Sequence, residues 1–287
     1  MSEEKSGTGP RWDAQLNVSL DDRSGETLVT KVSHQGPLRI QKPFYQSDGS
    51  CHVYLLHPPG GMAGGDRLSI RIESEGSAQT LLTTPSAGKF YRCIDGLKQQ
   101  QRVHIHAAGD SRIEWVPQEN IFFCGANAEL ELEICLERDS TFLGWDIQCL
   151  GRHASGESFS NGHVIQRVRL FRDEKLIHRE RIELIPASPM MRAGWGLGDN
   201  HIFGTLIAAL PQQIAIKLGK EIISIVEELS ANYTAQSWGF SFKESLILGR
   251  YLGESAEECR EGFNEMRLKL GLANIIEAGE TPRIWNT

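Results

Sequence analysis

Arg67-Leu68-Ser69-Ile70-Arg71-Ile72-Glu73 alternates a polar or charged residue with an aliphatic one at every position. A period of two puts Leu68, Ile70 and Ile72 on one face of a β-strand and the charges on the other, whereas a helix would scatter both around its circumference. The same texture recurs outward in both directions. Residues 15–20, 27–33, 51–56, 80–84, 102–106, 112–116, 130–136, 141–149, 164–171 and 176–184 are short, alternating or β-branched, and separated by Gly, Pro, Asp and Ser, so each reads as a strand. Helical spacing is confined to the last quarter. There Ile222, Ile223, Ile225, Val226 and Leu229 mark one apolar stripe, and Cys259, Phe263, Met266 and Leu270 a second. Between them 237–242 and 244–251 alternate again, which gives helix, hairpin, helix packed on a β body. No Pro-, Gly- or Ser-rich linker cuts the chain and no repeat of fixed period is visible. The expectation is a mainly β protein: a flexible tail at 1–11, then one domain over 12–287 with two C-terminal α-helices and a hairpin between them.

Composition excludes several functions. The 287 residues are 40% hydrophobic, enough to build a core without disulfides or metal. The net charge of -7 and the lack of Lys/Arg runs argue against nucleic-acid binding, which needs clustered cations facing phosphate. No apolar stretch reaches the roughly 20 residues of a spanning helix, so no membrane role is expected. Residues 1–10 lack the apolar segment of a secretory signal, which points to the cytoplasm. Cys51, Cys93, Cys124, Cys135, Cys149 and Cys259 form no Cys-x-x-Cys pair, as suits buried reduced thiols.

The segment Gly60-Gly61-Met62-Ala63-Gly64-Gly65-Asp66-Arg67 invites a phosphate-loop reading, but it has no Gly-Lys-Ser/Thr ending and leads into a strand, not a helix. A wide glycine turn, with Asp66 and Arg67 as a cap or a contact surface, explains it as well. His104 and His106 lie two apart on a strand, so both rings project from one face, a spacing that can seat a metal. Two solvated histidines are the simpler alternative. Gly194-Trp195-Gly196-Leu197-Gly198-Asp199 lacks the βαβ setting of a dinucleotide fingerprint, and Ser155-Gly156-Glu157 forms no nucleophile elbow. Glu119 and Glu157 remain candidate oxygen ligands or interface acids.

Several of these segments occur together in one order. Leu55-Leu-His-Pro-Pro-Gly-Gly-Met-Ala-Gly-Gly-Asp-Arg-Leu68 resembles the signature of the UreD/UreH family of urease accessory proteins. Thr83-Thr-Pro-Ser-Ala-Gly-Lys-Phe-Tyr-Arg92, Pro117-Gln-Glu-Asn-Ile-Phe-Phe123, Gly151-Arg-His-Ala-Ser-Gly-Glu157, His201-Ile-Phe-Gly-Thr-Leu206 and Pro282-Arg-Ile-Trp285 are similar to family segments in the family's order, over most of the chain from Trp12. Gly88 and Asn120 depart from it, standing where Thr is common. The resemblance implies a single layered, β-helix-like body. It also implies a non-enzymatic scaffold that binds apo-urease with the partners UreF and UreG and assists nickel delivery, the GTP chemistry belonging to UreG. Its motif residues Gly60, Gly61, Gly64, Gly65, Asp66, Arg67, Lys89, Tyr91, Arg92, Glu119, Arg152 and Glu157 are then candidates for partner contact or a nickel route, with Asp66 and Glu157 foremost. No tightly bound cofactor is expected, only nickel in transit. Two alternatives stay open: a β-rich metal-dependent hydrolase using His104 and His106, and a binding module with no metal role.

Overall fold

In chain order the elements are β1 (Asp13–Arg23), β2 (Glu26–Gln35), β3 (Arg39–Ile40), β4 (Phe44–Tyr45), β5 (Cys51–Leu56), β6 (Arg67–Ser74), β7 (Gln79–Thr83), β8 (Gly88–Phe90), β9 (Gln99–Ala107), β10 (Arg112–Trp115), β11 (Asn120–Phe122) and β12 (Ala126–Leu136). They continue with β13 (Thr141–Arg152), β14 (Glu157–Ser158), β15 (Gly162–Arg172), β16 (Lys175–Leu184), α1 (Pro189–Arg192), β17 (Ile202–Ala209), α2 (Gln212–Lys217), α3 (Gly219–Asn232), β18 (Trp238–Lys243), β19 (Leu246–Gly253) and α4 (Ala256–Leu272). This computed structural model describes residues 12–94, 96–234, 237–276 and 281–286, so the expected tail at 1–11 lies outside the described residues.

The alternating strands coil into the expected β-helix-like body. β1, β6, β9, β12 and β15 run parallel in one sheet, ordered β16-β15-β12-β9-β6-β1-β2, while β5, β7, β10 and β13 run parallel in a second sheet extended by β17, β19 and β18. Short β8 and β11 pair along a third side. Arg67 stands beside Gln100, Gln100 beside Glu129 and Glu129 beside Ile165, rungs of 33, 29 and 36 residues. Unequal rungs explain why no fixed period shows in the sequence.

Two apolar layers hold the coil. Leu16, Ile70, Val103, Leu132 and Val168 of the first sheet meet Val53, Leu82, Ile113 and Phe142 of the second inside the body. On the second sheet's other face Trp145, Ile147 and Leu206 pack under Leu229, Phe263, Met266 and Leu270 of the helices. The second sheet is therefore covered on both sides, and β17 is buried at all eight positions. A strand covered on both faces has no reason to alternate, which is why Ile202–Ala209 carries no period-two signal.

The C-terminal helix, hairpin, helix arrangement is present as α3, β18, β19 and α4, preceded by the short α1 and α2, which the periodicity does not reveal. Of the first stripe Ile222 and Leu229 are buried, whereas Ile223 faces outward, a departure that follows from the helix's actual rotation on the sheet. α4 begins at Ser255, whose Oγ accepts the Glu258 N–H at 3.1 Å, with Glu257 and Glu258 in its positive first turn. All six cysteines are free; Cys51, Cys149 and Cys259 are buried, but Cys93, Cys124 and Cys135 are part-exposed. Among the described residues no helix is long and apolar enough to cross a membrane.

Candidate functional site

The glycine-rich segment is a turn between β5 and β6, as its composition allows. Gly60 and Gly65 adopt φ of 76° and 96°, the left-handed region that side chains other than glycine's resist. Gly61 is required for another reason: a Cβ there would stand 2.5 Å from the Tyr91 ring. The Met62 N–H donates to the Lys89 carbonyl at 2.7 Å and the Tyr91 N–H to the Met62 carbonyl at 3.0 Å, stitching the turn to β8. Asp66 is 2% exposed, and its oxygens accept the Trp12 N–H at 2.9 Å and the Ala63 N–H at 2.8 Å. Both oxygens are thus committed to backbone donors. Asp66 caps the turn and anchors the start of β1. Asp66→Ala is expected to lower stability by about 1–3 kcal/mol, the cost of stranding two such donors, and thermal unfolding measures it.

Behind the turn lies a cavity of about 430 Å³ bordered by His57, Gly60, Gly61, Lys89, Gln101 and Asp146, among others. Burial lowers the pKa of His57 against the opposing pull of the Asp66 charge, which keeps the imidazole neutral, and its Nε2 has no hydrogen-bond partner among the described residues. Asp146, deep in the body yet bordering the cavity, has its carboxyl pushed up to about 7 by burial. Gln166 Nε2 donates to it at 3.3 Å, while the nearby Trp115 indole N–H falls short of hydrogen-bond geometry. Across the second sheet Asp146 stands beside Thr205, and Thr205 beside Arg250. Arg250 Nη1 donates to Thr205 Oγ1 at 2.8 Å and to Glu180 Oε2 at 2.9 Å, and His178 Nε2 lies 2.6 Å from Glu180 Oε1. Burial alone would raise the Glu180 pKa, but His178 and Arg250 outweigh it and hold the carboxylate ionised. Oxygen and nitrogen groups thus lie at intervals from the cavity behind the glycine turn, through Asp146 and its cross-strand neighbour Thr205, to the half-exposed Arg250.

The other candidate residues divide among different places. Glu157 accepts the Cys124 N–H at 2.7 Å and Arg152 Nε at 2.7 Å, contacts that lower its pKa, so its carboxylate is also committed. The Arg152 guanidinium lies 4.3 Å from the centre of the Phe123 ring, Tyr91 meets the same ring edge-on at 5.0 Å, and Arg92 lines a shallow pocket with Phe123 and Glu157. Glu119 is held by Arg260 at 3.3 Å. Arg67 and Lys89 are exposed, and Gly64 gives room to Leu97 and Cys93. The two departures from the family pattern turn out to be neighbours: Gly88 pairs with Asn120, and a Cβ on Gly88 would stand 2.6 Å from Asn120 Oδ1. The larger residue occupies the space the smaller one leaves.

His104 and His106 do share the outer face of the first sheet, and His104 Nδ1 lies 3.2 Å from Glu133 Oε1. Sequence reasoning passed over Asp146, Gln166, His178, Glu180, Thr205 and Arg250. The available signal was Asp146 itself, a lone acid between Trp145 and Ile147 in a strand otherwise fit for burial.

A family model described as UreD urease accessory protein matches residues 13–286. A urease accessory protein UreD of Saccharophagus degradans is 41% identical over 96% of this chain and 93% of its own length. One of Methylobacillus flagellatus is 39% identical over 96% and 95%, and one of Chromohalobacter salexigens 35% identical over 98% and 90%.

Proposed function

The chain belongs to the UreD family of urease accessory proteins and so has a role in urease maturation; from that premise we propose that it is a non-enzymatic, cytoplasmic scaffold which binds apo-urease together with UreF and UreG and conducts nickel toward the urease active site. The observation that carries this reading is the interior chain His57, Asp146, Gln166, Thr205, Glu180 and His178. Its donors are single oxygens and nitrogens strung out in sequence, not converging on one point, which suits an ion that must move on. Nickel is cargo here, met first by the neutral His57 imidazole at the turn and then by the Asp146 carboxylate. The Arg250–Glu180 salt bridge closes the far end, and Glu180 becomes available to a cation when that bridge opens.

Asp66 and Glu157 serve this function indirectly, by shaping the turn and the third side of the coil. The exposed Lys89 and Arg92, with Tyr91 and the Arg152-covered Phe123, offer a partner a surface of cations and aromatic rings. Co-expression tests the reading: a tagged copy should capture UreF, UreG and urease subunits, and its deletion should leave urease nickel-poor. Failure to capture any of them, with urease nickel unchanged on deletion, overturns it.

A further inference from the structure

The outer face of the first sheet is a cross-strand ladder of charges. Glu129, Glu131 and Glu133 of β12 alternate with buried leucines and meet Lys98, the residue before β9, Arg102 of β9 and Arg167 and Arg169 of β15, with N to O distances of 2.8, 3.2, 3.4 and 2.8 Å. At the last rungs the ladder changes chemistry. His104 replaces an arginine or lysine opposite Glu133, and Cys135 takes the next place in the row of glutamates, opposite His106. One ligand atom each from His104, Glu133 and Cys135 lie within 4.8 Å of one another.

We infer that His104, Glu133 and Cys135 form an open binding site for a divalent transition-metal ion of borderline softness, nickel or zinc, on the outside of the body. One nitrogen, one oxygen and one sulfur donor select such ions over magnesium or calcium, which take oxygen ligands. Arg169 holds Glu133 Oε2 at 2.8 Å and leaves Oε1 facing His104, as an outer partner that aims a ligating carboxylate does. The parallel register fixes the three side chains on one rigid pleated face, so the site needs no loop to close. Three protein ligands leave the remaining coordination positions to water, and the half-buried His104 and Glu133 can hand the ion on. Binding converts the Cys135 thiol to a thiolate, its proton passing to solvent.

The site lies across the first sheet from the interior chain and does not depend on it. Titration of the full-length protein with nickel(II) alone should show a thiolate-to-nickel absorption band in the near ultraviolet, saturating at one equivalent and unaffected by magnesium. Cys135→Ser should abolish the band, and His104→Ala and Glu133→Gln should weaken binding by about tenfold or more. His106→Ala, outside the cluster, and Asp146→Asn, inside the body, should leave the band as in the parent, with far-ultraviolet circular dichroism confirming the fold of each. Absence of the band in the parent protein, or its persistence in Cys135→Ser and His104→Ala, overturns the site and leaves the interior route standing.

Discussion

Trp145→Ala is expected to destabilise the protein by about 3–5 kcal/mol, the range for deleting a large buried aromatic side chain. Trp145 is 1% exposed on the outer face of β13. Its ring centre lies 6.1 Å from that of Phe263 in α4 and 5.7 Å from that of Trp285, and its Nε1 donates to the Pro117 carbonyl at 3.0 Å. One side chain thus joins the second sheet, the last helix and the C-terminal Pro282-Arg-Ile-Trp285 segment. Trp285 Nε1 in turn donates to Thr83 Oγ1 at 3.0 Å, so loosening Trp145 also frees the contact that ties the chain end to β7. Urea unfolding should show a lower midpoint at unchanged slope. Trp145→Phe keeps a ring but takes its donor from the Pro117 carbonyl, and about 1–3 kcal/mol should be lost. An alanine variant that unfolds at the parent midpoint would mean that the helices are held by something other than this layer.

Asp146→Asn should move stability and function in opposite directions. Burial raises the Asp146 carboxyl from 3.8 to about 7. Between those values the folded protein holds a proton that the unfolded chain has released, so stability falls as pH rises through the window, and the loss is complete above pH 7. Asparagine removes this dependence. At pH 8 the variant should be more stable than the parent by about 1–4 kcal/mol, toward the lower end because Asp146 borders the cavity and is not sealed in apolar packing. The same change removes the anionic oxygen midway along the interior chain, so urease matured with the variant should contain several-fold less nickel. Unfolding at pH 5 and pH 8, with metal analysis of co-expressed urease, measures both. Parent-level nickel in urease from the more stable variant would remove Asp146 from the route.

Strand texture is written into the residues. Where one face is buried and the other wet, the period of two must be written into the residues, and Arg67–Ser74 and Ala126–Leu136 carry it without ambiguity. The helical stripes around Leu229 and Phe263 and the ordered family segments were equally legible, the first from burial on one side and the second from the residues quoted. The glycine turn was legible too, because positive φ and a close ring leave room for nothing else. The roles of the charges depend on packing between distant segments. Asp66, readable as a cap or a contact, is committed to two backbone donors, and Glu157, readable as an oxygen ligand or an interface acid, to the Cys124 N–H and Arg152. Asp146 looked like one acid in a strand and proved to sit beside Thr205, 59 residues further along, which itself stands beside Arg250. His104 found Glu133 and Cys135 only through the register of two parallel strands. Rungs of unequal length bring such residues together at separations that no local pattern encodes, because pairing depends on where each loop lets the next strand begin.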